Sequence, residues 1–244
     1  MKYVEPLPAV YPEKSPHITM MWREGRYALE WLQGWRLGER VLAGLPTADG
    51  RPLMLLPGYD THDRALQRLR DRLCALGYDA RTWGLGRNHG RVPKLMPLLQ
   101  ARLAAWQSES GRPIGLVGWS LGGFIARELA RDHADLVASV LTLGAPAVGG
   151  PKYTITAAAY RKRGFDLDRI EADIAQRDAV PIQCPLTVVY SRCDGVVSWP
   201  ATLDRVTPQA RHVEVACSHL GLVNDPAAFR VIARALADQL SAAG

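Results

Sequence analysis

The sequence predicts an α/β protein with a mostly parallel central sheet of about six strands and helices on both faces. Two observations predict this fold class. Between residues 53 and 240, short apolar runs alternate with longer segments whose apolar residues recur at helical spacing. One run, IGLV at 114–117, passes through the glycine-rich stretch GWSLGG at 118–123 directly into such a helix. Alternating strands and helices form βαβ units, whose parallel strands are buried on both faces.

Length and composition fit one globular domain, and they predict neither a metal site nor a cofactor. The 244 residues are 48% hydrophobic, which is enough to bury a large core. The net charge of +6 comes from scattered arginines, so no basic stripe predicts a nucleic-acid partner. The four cysteines have no CxxC spacing, which favours free thiols. The N-terminus lacks the apolar core of a signal peptide and no run approaches the ~18 apolar residues of a membrane span, so we expect a cytoplasmic protein.

Residues 1–52 are predicted to be an N-terminal helical segment packed on the core. Prolines predict an irregular start, followed by a helix over about residues 19–42. Its predicted apolar face carries Met21, Ala28, Leu32 and Trp35. The helix also holds three tryptophans, too many large apolar groups to leave in water, so we expect packing on the sheet or at its edge. The alternatives are a cover over a pocket, a membrane-surface contact or a dimer patch.

Residues 53–244 are predicted to form one domain with a cap-like insertion at 149–184. The predicted strands are residues 53–56, 79–83, 114–117, 136–143, 186–190 and 212–216. The predicted helices are residues 63–76, capped by Thr61 or Asp63, then 94–107, the helix after residue 120, and 227–240. The insertion is charged and shows no strand pattern, so it is expected to lie over the sheet. Ligands of such sheets bind at the carboxyl ends of the strands.

The stretch at 118–123 contains Gly-x-Ser-x-Gly, the pattern of a nucleophile elbow. The turn is so sharp that Ser120 is expected to sit in a strained backbone and to project its hydroxyl above the sheet. The glycines at 118 and 122 are needed because side chains there would strike the neighbouring strand or helix. Ser120 is therefore the predicted nucleophile.

A serine nucleophile needs a base within hydrogen-bond reach, and three histidines follow Ser120. His133 ends the helix after the elbow, and His212 opens a strand at the wrong end of the sheet. His219 follows the last strand directly, where its side chain can reach Ser120. His219 is therefore the predicted base.

The base needs a carboxylate that orients it, from the exit of the preceding strand. Asp194 lies there, in SRCDGVV at 191–197, and would fix the imidazole tautomer. An aspartate before glycine is also a common turn residue. Asp166, Asp168 and Asp173 are rivals, but they fall in the insertion.

The negative charge of a tetrahedral intermediate needs preformed backbone donors. The N–H of Leu121, after the nucleophile, is one predicted donor, and the N–H of Tyr59, in the loop after the first strand, is the other. The predicted substrate pocket uses Tyr59, Trp119, Leu121 and the insertion.

Several motifs in this order resemble those of bacterial serine esterases and lipases of the α/β-hydrolase superfamily. They are LPGY at 56–59, GWSLGG at 118–123, SRCDGVV at 191–197 and SHLGL at 218–222. WGLGRN at 83–88 and LGAP at 143–146 resemble triacylglycerol-lipase-like members. The resemblance covers about residues 53–240. The hairpin of two strands that often begins this fold is missing, and the helical segment stands in its place.

The resemblance implies a serine hydrolase that cleaves carboxylic esters through an acyl-enzyme on Ser120, with His219 and Asp194 completing the triad. The same parts serve an acyltransferase or a thioesterase, and a non-catalytic binding protein on this frame is a further alternative. The expected partner is a small-molecule acyl or ester substrate, with a transient membrane-surface or lipid contact through the N-terminal helix. The sequence predicts no oligomeric state.

Overall fold

The computed structural model describes residues 1–16 and 18–242 and contains one parallel sheet of six strands. His17, Ala243 and Gly244, which belong to the predicted segments 1–52 and 53–244, lie outside the described residues. The strands are β1 Pro52–Leu56, β2 Asp79–Thr82, β3 Ile114–Trp119, β4 Val137–Leu143, β5 Leu186–Tyr190 and β6 Arg211–Glu214. Their order across the sheet is β2-β1-β3-β4-β5-β6 and every recorded pair is parallel, which confirms the predicted fold class.

Strand β3 lies in the middle of the sheet, between β1 and β4. Val117 is in register with Leu55 on one side and with Leu141 on the other. Every residue of β1 and β3 is buried, because helices cover both faces of the sheet. Ser120 follows β3 directly. It therefore lies in the middle of the row formed by the carboxyl ends of the strands.

Seven α-helices lie within the described residues. They are α1 Tyr27–Leu37, α2 Gln67–Ala75, α3 Val92–Ser110, α4 Leu121–Asp132, α5 Ala157–Lys162, α6 Leu167–Arg177 and α7 Pro226–Ala242. Leucines of α2 and Phe229 of α7 fill the core on one face of the sheet, and α3 and α4 fill the other. The predicted caps at Thr61 and Asp63 are wrong: the Thr61 hydroxyl donates to the Gly58 carbonyl, and a 3₁₀ turn at Asp63–Leu66 precedes α2.

The N-terminal segment is helical, but its predicted buried face is wrong. It consists of a 3₁₀ stretch at Ile18–Arg26, then α1, then a 3₁₀ turn at Gly38–Leu42. The tryptophans are exposed: 74% for Trp22, 47% for Trp31 and 65% for Trp35. The side that faces the protein instead carries Glu24, Glu30 and Gly34. The two glutamates accept backbone N–H groups of distant loops, and the Gly34 carbonyl accepts from the Arg72 side chain.

The insertion between β4 and β5 holds a 3₁₀ turn at Gly150–Tyr153 together with α5 and α6. A cluster of charged side chains, of which Glu128 and Arg131 are the most buried, connects it to α4. Arg131 on α4 pairs with Asp178 just after α6, and Glu128 on α4 pairs with Arg177 of α6. Charged groups are tolerated in partly buried positions where each is paired, so these contacts fasten α6 and the residue after it to α4.

All four cysteines are free thiols, of which Cys217 is buried and Cys74 is exposed. Among the described residues, no helix has both the length and the apolar character to cross a membrane.

Candidate active site

Ser120 sits on a strained turn between β3 and α4. Its backbone φ is +54°, a region that side chains rarely adopt, and its N–H donates to the Leu143 carbonyl over 2.8 Å. A side chain on Gly122 would collide with the Leu56 carbonyl, and one on Gly118 would collide with Gly123. The turn can therefore form only with glycine at both positions, and it exposes the Ser120 hydroxyl to the cavity described below.

His219 and Asp194 form a buried hydrogen-bonded pair at the exits of β6 and β5. The His219 Nδ1 lies 2.6 Å from Oδ2 of Asp194. The other carboxylate oxygen of Asp194 accepts the backbone N–H groups of Val196 and Val197, each over 2.8 Å. Both oxygens of Asp194 are thus used, and its side chain has a fixed orientation toward the imidazole.

Gly144, at the exit of β4, makes room for this pair. A Cβ there would lie 3.0 Å from Oδ2 of Asp194 and 3.1 Å from Nδ1 of His219. The residue also has a φ of +56°, which favours glycine. The LGAP motif therefore matters through its glycine, which lets the acid and the imidazole pack against the end of β4.

Trp119 packs against the imidazole of His219. Their ring centroids are 5.4 Å apart, and the indole Nε1 donates to the His219 carbonyl over 3.1 Å. Trp119 precedes Ser120 in the chain, so the elbow and the histidine loop are held together. Ser120 and His219 line the same cavity.

The pKa of His219 is raised above the ordinary value of imidazole. Burial is the largest single influence and lowers the pKa, because it disfavours the imidazolium. The charge of Asp194, its hydrogen bond to Nδ1 and the charge of Glu24 act the other way and together outweigh burial. The site therefore stabilises a proton on this imidazole more than water does.

The two predicted oxyanion donors lie on either side of Ser120. Leu121 is the first residue of α4, so its N–H has no acceptor within the helix. Tyr59 follows Gly58, and a Cβ at Gly58 would lie 3.2 Å from the Ser120 Cβ, so this loop approaches the elbow closely. Both residues line the cavity.

Asn88 holds the loop that carries Tyr59, a contact that the sequence interpretation missed. Its side chain is fully buried and donates from Nδ2 to the Pro57 carbonyl over 2.8 Å. Its own carbonyl accepts the N–H of Asp60 over 2.7 Å. Asn88 is the last residue of the WGLGRN motif at 83–88, and this motif was the sequence signal that marked the residue.

The cavity has a volume of about 670 Å³ and is mostly apolar. All three predicted pocket residues line it: Tyr59, Trp119 and Leu121. Side chains of α3, α4 and the insertion complete the wall, among them Met96, Phe124, Ile155, Phe165 and Ile174. Arg163 donates to the Tyr59 hydroxyl over 2.5 Å, which connects the insertion to the loop after β1.

The rival residues have other partners. His212 is buried and its Nε2 accepts the backbone N–H of Asp204, while burial lowers its pKa to about 4. Asp166 caps α6, and the exposed Asp168 pairs with Lys152. Asp173 lines the cavity, and the recorded carboxylate partner of His219 is Asp194.

Two carboxylates that the sequence interpretation did not select lie next to this pair. Glu24 accepts the N–H groups of Gly195, His219 and Leu220, and Glu30 accepts the N–H of Ser218. Within the described residues, no group of three or more His, Cys, Asp or Glu side chains is arranged to hold a metal ion.

No family model matches the sequence, and no curated protein matches it at the level of sequence. Similar solved structures include the monoacylglycerol lipase of Paleococcus ferrophilus, with 16% identity, a TM-score of 0.59, and coverage of 82% of this chain and 97% of the lipase. A metagenome-derived lipolytic enzyme has 14% identity, a TM-score of 0.60, and coverage of 81% and 96%. The thioesterase domain from the curacin biosynthetic pathway has 17% identity, a TM-score of 0.53, and coverage of 78% and 93%.

At these identities the likeness establishes the fold. The similar structures include two proteins described as α/β hydrolases, whose matches cover 80% and 79% of this chain. The chain therefore has the α/β-hydrolase fold, as predicted.

Proposed function

We propose that the protein is a serine hydrolase that cleaves carboxylic esters through an acyl-enzyme on Ser120. One observation carries the proposal: His219, joined over 2.6 Å to the buried Asp194, lines the same cavity as a serine held at positive φ on a strand–turn–helix elbow. A serine at this strained position, beside an imidazole oriented by a carboxylate, is the arrangement that activates a hydroxyl for acyl transfer.

In the proposed mechanism, Asp194 holds the Nδ1 proton of His219, which leaves Nε2 free to act as the base. His219 takes the proton of Ser120 as the oxygen attacks the acyl carbonyl. The N–H groups of Tyr59 and Leu121 stabilise the resulting oxyanion. His219 then gives the proton to the leaving alcohol, and the acyl group remains on Ser120. Water, deprotonated by the same imidazole, attacks the acyl-enzyme and releases the acid.

The cavity supports a substrate with an apolar acyl group. Its wall combines aromatic and aliphatic side chains from α3, α4 and the insertion, and most of its surface is apolar. Such a surface favours burial of an acyl chain, while Ser120 and His219 in the same wall meet the acyl carbonyl. The likeness to a monoacylglycerol lipase and to a lipolytic enzyme supports the same substrate class, as does the resemblance to triacylglycerol-lipase-like members.

A panel of nitrophenyl esters with acyl chains of rising length tests this function. We expect turnover that saturates with substrate and a preference for a particular chain length, because the insertion forms part of the cavity wall and the cavity has a finite volume of about 670 Å³. Absence of turnover across the panel by folded protein would contradict the proposal and favour a binding protein on this frame.

Thioester cleavage or acyl transfer is the second candidate, because Ser120, His219 and Asp194 would serve either reaction and the thioesterase domain shares the fold. A matched pair of an ester and a thioester with the same acyl group separates these substrates. Trapping the acyl group with an added alcohol in place of water separates transfer from hydrolysis.

The proposal extends to a transient contact between the N-terminal segment and an anionic lipid surface. Trp22, Leu29 and Trp35 are exposed on this segment, and the exposed Arg36 lies beside Trp35. Exposed aromatic and basic residues on a helix favour the membrane interface.

The wild type should sediment with vesicles that contain anionic lipid, and the double variant Trp22→Ala/Trp35→Ala should not. Leu98→Ala, at an exposed site on α3, is the control; equal sedimentation of all three proteins would contradict the contact.

We also propose that the protein is cytoplasmic. The four free thiols support this location, because reducing compartments keep cysteines unpaired. A count of fewer than four thiols in the unfolded, unreduced protein would contradict it.

A further inference from the structure

The N-terminal segment places a buried carboxylate between the two loops that carry Asp194 and His219. Oε1 of Glu24 accepts the N–H of Gly195 over 2.9 Å and the N–H of His219 over 3.0 Å. Its Oε2 accepts the N–H of Leu220 over 3.1 Å. One side chain therefore bonds to the backbone beside the acid and to the backbone of the histidine itself.

A second carboxylate of the same segment holds the histidine loop one residue earlier. Glu30 accepts the backbone N–H of Ser218 over 2.8 Å and also the Ser218 hydroxyl. That hydroxyl in turn accepts the N–H of Gly221 over 2.9 Å. A side chain at Gly221 would collide with Glu30, and a Cβ at Gly195 would lie 2.6 Å from the Met20 carbonyl. The loops thus carry glycine where the segment approaches them.

These carboxylates are costly to bury unless their partners are in place. Glu24 is only 9% exposed and Glu30 only 5% exposed. A buried carboxylate is tolerated when several donors satisfy it, and hydrogen bonds to an ionised acceptor are stronger than neutral ones. Glu24 has three backbone donors, all from the two loops. The buried carboxylate of Glu24 therefore has all three of its donors only with both loops held in this arrangement.

We propose that Glu24 is a positioning residue that fixes the Asp194 and His219 loops relative to each other, with Glu30 supporting the histidine loop through Ser218. The proposal rests on the proposed hydrolase function, and it assigns a role to the segment that replaces the usual opening hairpin. Glu24 does not touch the reacting atoms; it acts through the backbone of its neighbours. A shift of about 1 Å in such a constellation can lower the rate on the order of 10²-fold.

The charge of Glu24 gives a readout that a purely structural role would not move. The charged groups recorded around the imidazole are Asp194 from the β5 exit and Glu24 from the N-terminal segment, and both raise the pKa of His219. Since the imidazole must be neutral to act as base, the acidic limb of the wild-type activity profile should lie above the ~6.5 of free imidazole. Removing the charge of Glu24 should move this limb to lower pH.

The test compares Glu24→Gln with the wild type in ester turnover and in its pH profile. Glu24→Gln is isosteric, but it loses the charge and offers an amide donor to one of the three N–H groups. We expect kcat to fall ~10- to 100-fold with KM changed little, because the chemistry rather than substrate binding depends on the alignment. The acidic limb should move to lower pH. Glu13→Gln, at an exposed position in the same segment, should match the wild type in both readouts.

Wild-type kcat and an unmoved limb in folded Glu24→Gln would overturn the proposal. If Glu24→Gln does not melt cooperatively, Glu24→Asp takes its place: it keeps the charge but is one methylene shorter. In Glu24→Asp, a reduced kcat together with an acidic limb at the same pH as in the wild type supports the positioning role. A kcat equal to that of the wild type overturns the positioning role. Failure of the proposed function is distinct, because the wild type itself would then neither turn over esters nor react with a fluorophosphonate.

Discussion

Ser120→Ala should reduce ester turnover by at least about 10⁴-fold while the protein remains folded, because the variant lacks the oxygen that forms the acyl-enzyme. Alanine and serine share the Cβ, so the backbone at φ +54° is equally strained in both and the fold should persist. The glycines on either side, which allow the turn, are untouched.

Thermal melting and single-turnover kinetics with a nitrophenyl ester measure these effects. Ser108→Ala is the matched control, since Ser108 is exposed on α3. A folded Ser120→Ala variant that keeps more than a few per cent of wild-type turnover would remove Ser120 from the nucleophile's role.

Asp194→Asn should lower kcat on the order of 10⁴-fold through the wrong histidine tautomer. Oδ1 of Asp194 accepts two backbone N–H groups, from Val196 and Val197. In the variant, the amide oxygen is expected to keep these bonds, which turns the amide nitrogen toward His219. An amide N–H donates, so Nδ1 must accept and the imidazole proton moves to Nε2. The nitrogen that should take the serine proton is then occupied.

Substrate binding by Asp194→Asn should change little, because Asp194 is buried behind the imidazole and does not line the cavity wall. The measurement is kcat and KM separately across pH. Asp168→Asn, at an exposed aspartate of the insertion, is the control and should leave both constants unchanged. Activity within tenfold of wild type in Asp194→Asn would assign the orienting role to another carboxylate.

The predicted sheet and its order in sequence could be recognised because the period of the apolar residues changes at each strand–helix boundary. The stretch from β3 through the elbow into α4 is the clearest case: an apolar run, the glycines around Ser120, then helical spacing. Local patterns of this kind do not depend on distant contacts. The fold class therefore followed from the sequence with only small errors in element boundaries.

The N-terminal segment shows where such patterns fail. Three tryptophans predicted an apolar buried face, but the buried face carries Glu24 and Glu30. The donors that make these carboxylates tolerable are backbone N–H groups about 170 to 195 residues further along the chain. Every residue except proline carries a backbone N–H, so no local pattern in the sequence shows which of these groups will act as donors. The WGLGRN motif marked Asn88 but not its contacts, because these are with the backbone groups of Pro57 and Asp60.

Mapping of a fluorophosphonate adduct tests whether Ser120 is an activated nucleophile. The reagent reacts with a serine whose hydroxyl is activated by a neighbouring base. We expect one adduct per native chain, located on the peptide that contains Ser120, no adduct in Ser120→Ala, and slow labelling in Asp194→Asn. Folded protein that takes no adduct, or that takes it at another residue and retains it in Ser120→Ala, would show that Ser120 is not the activated nucleophile.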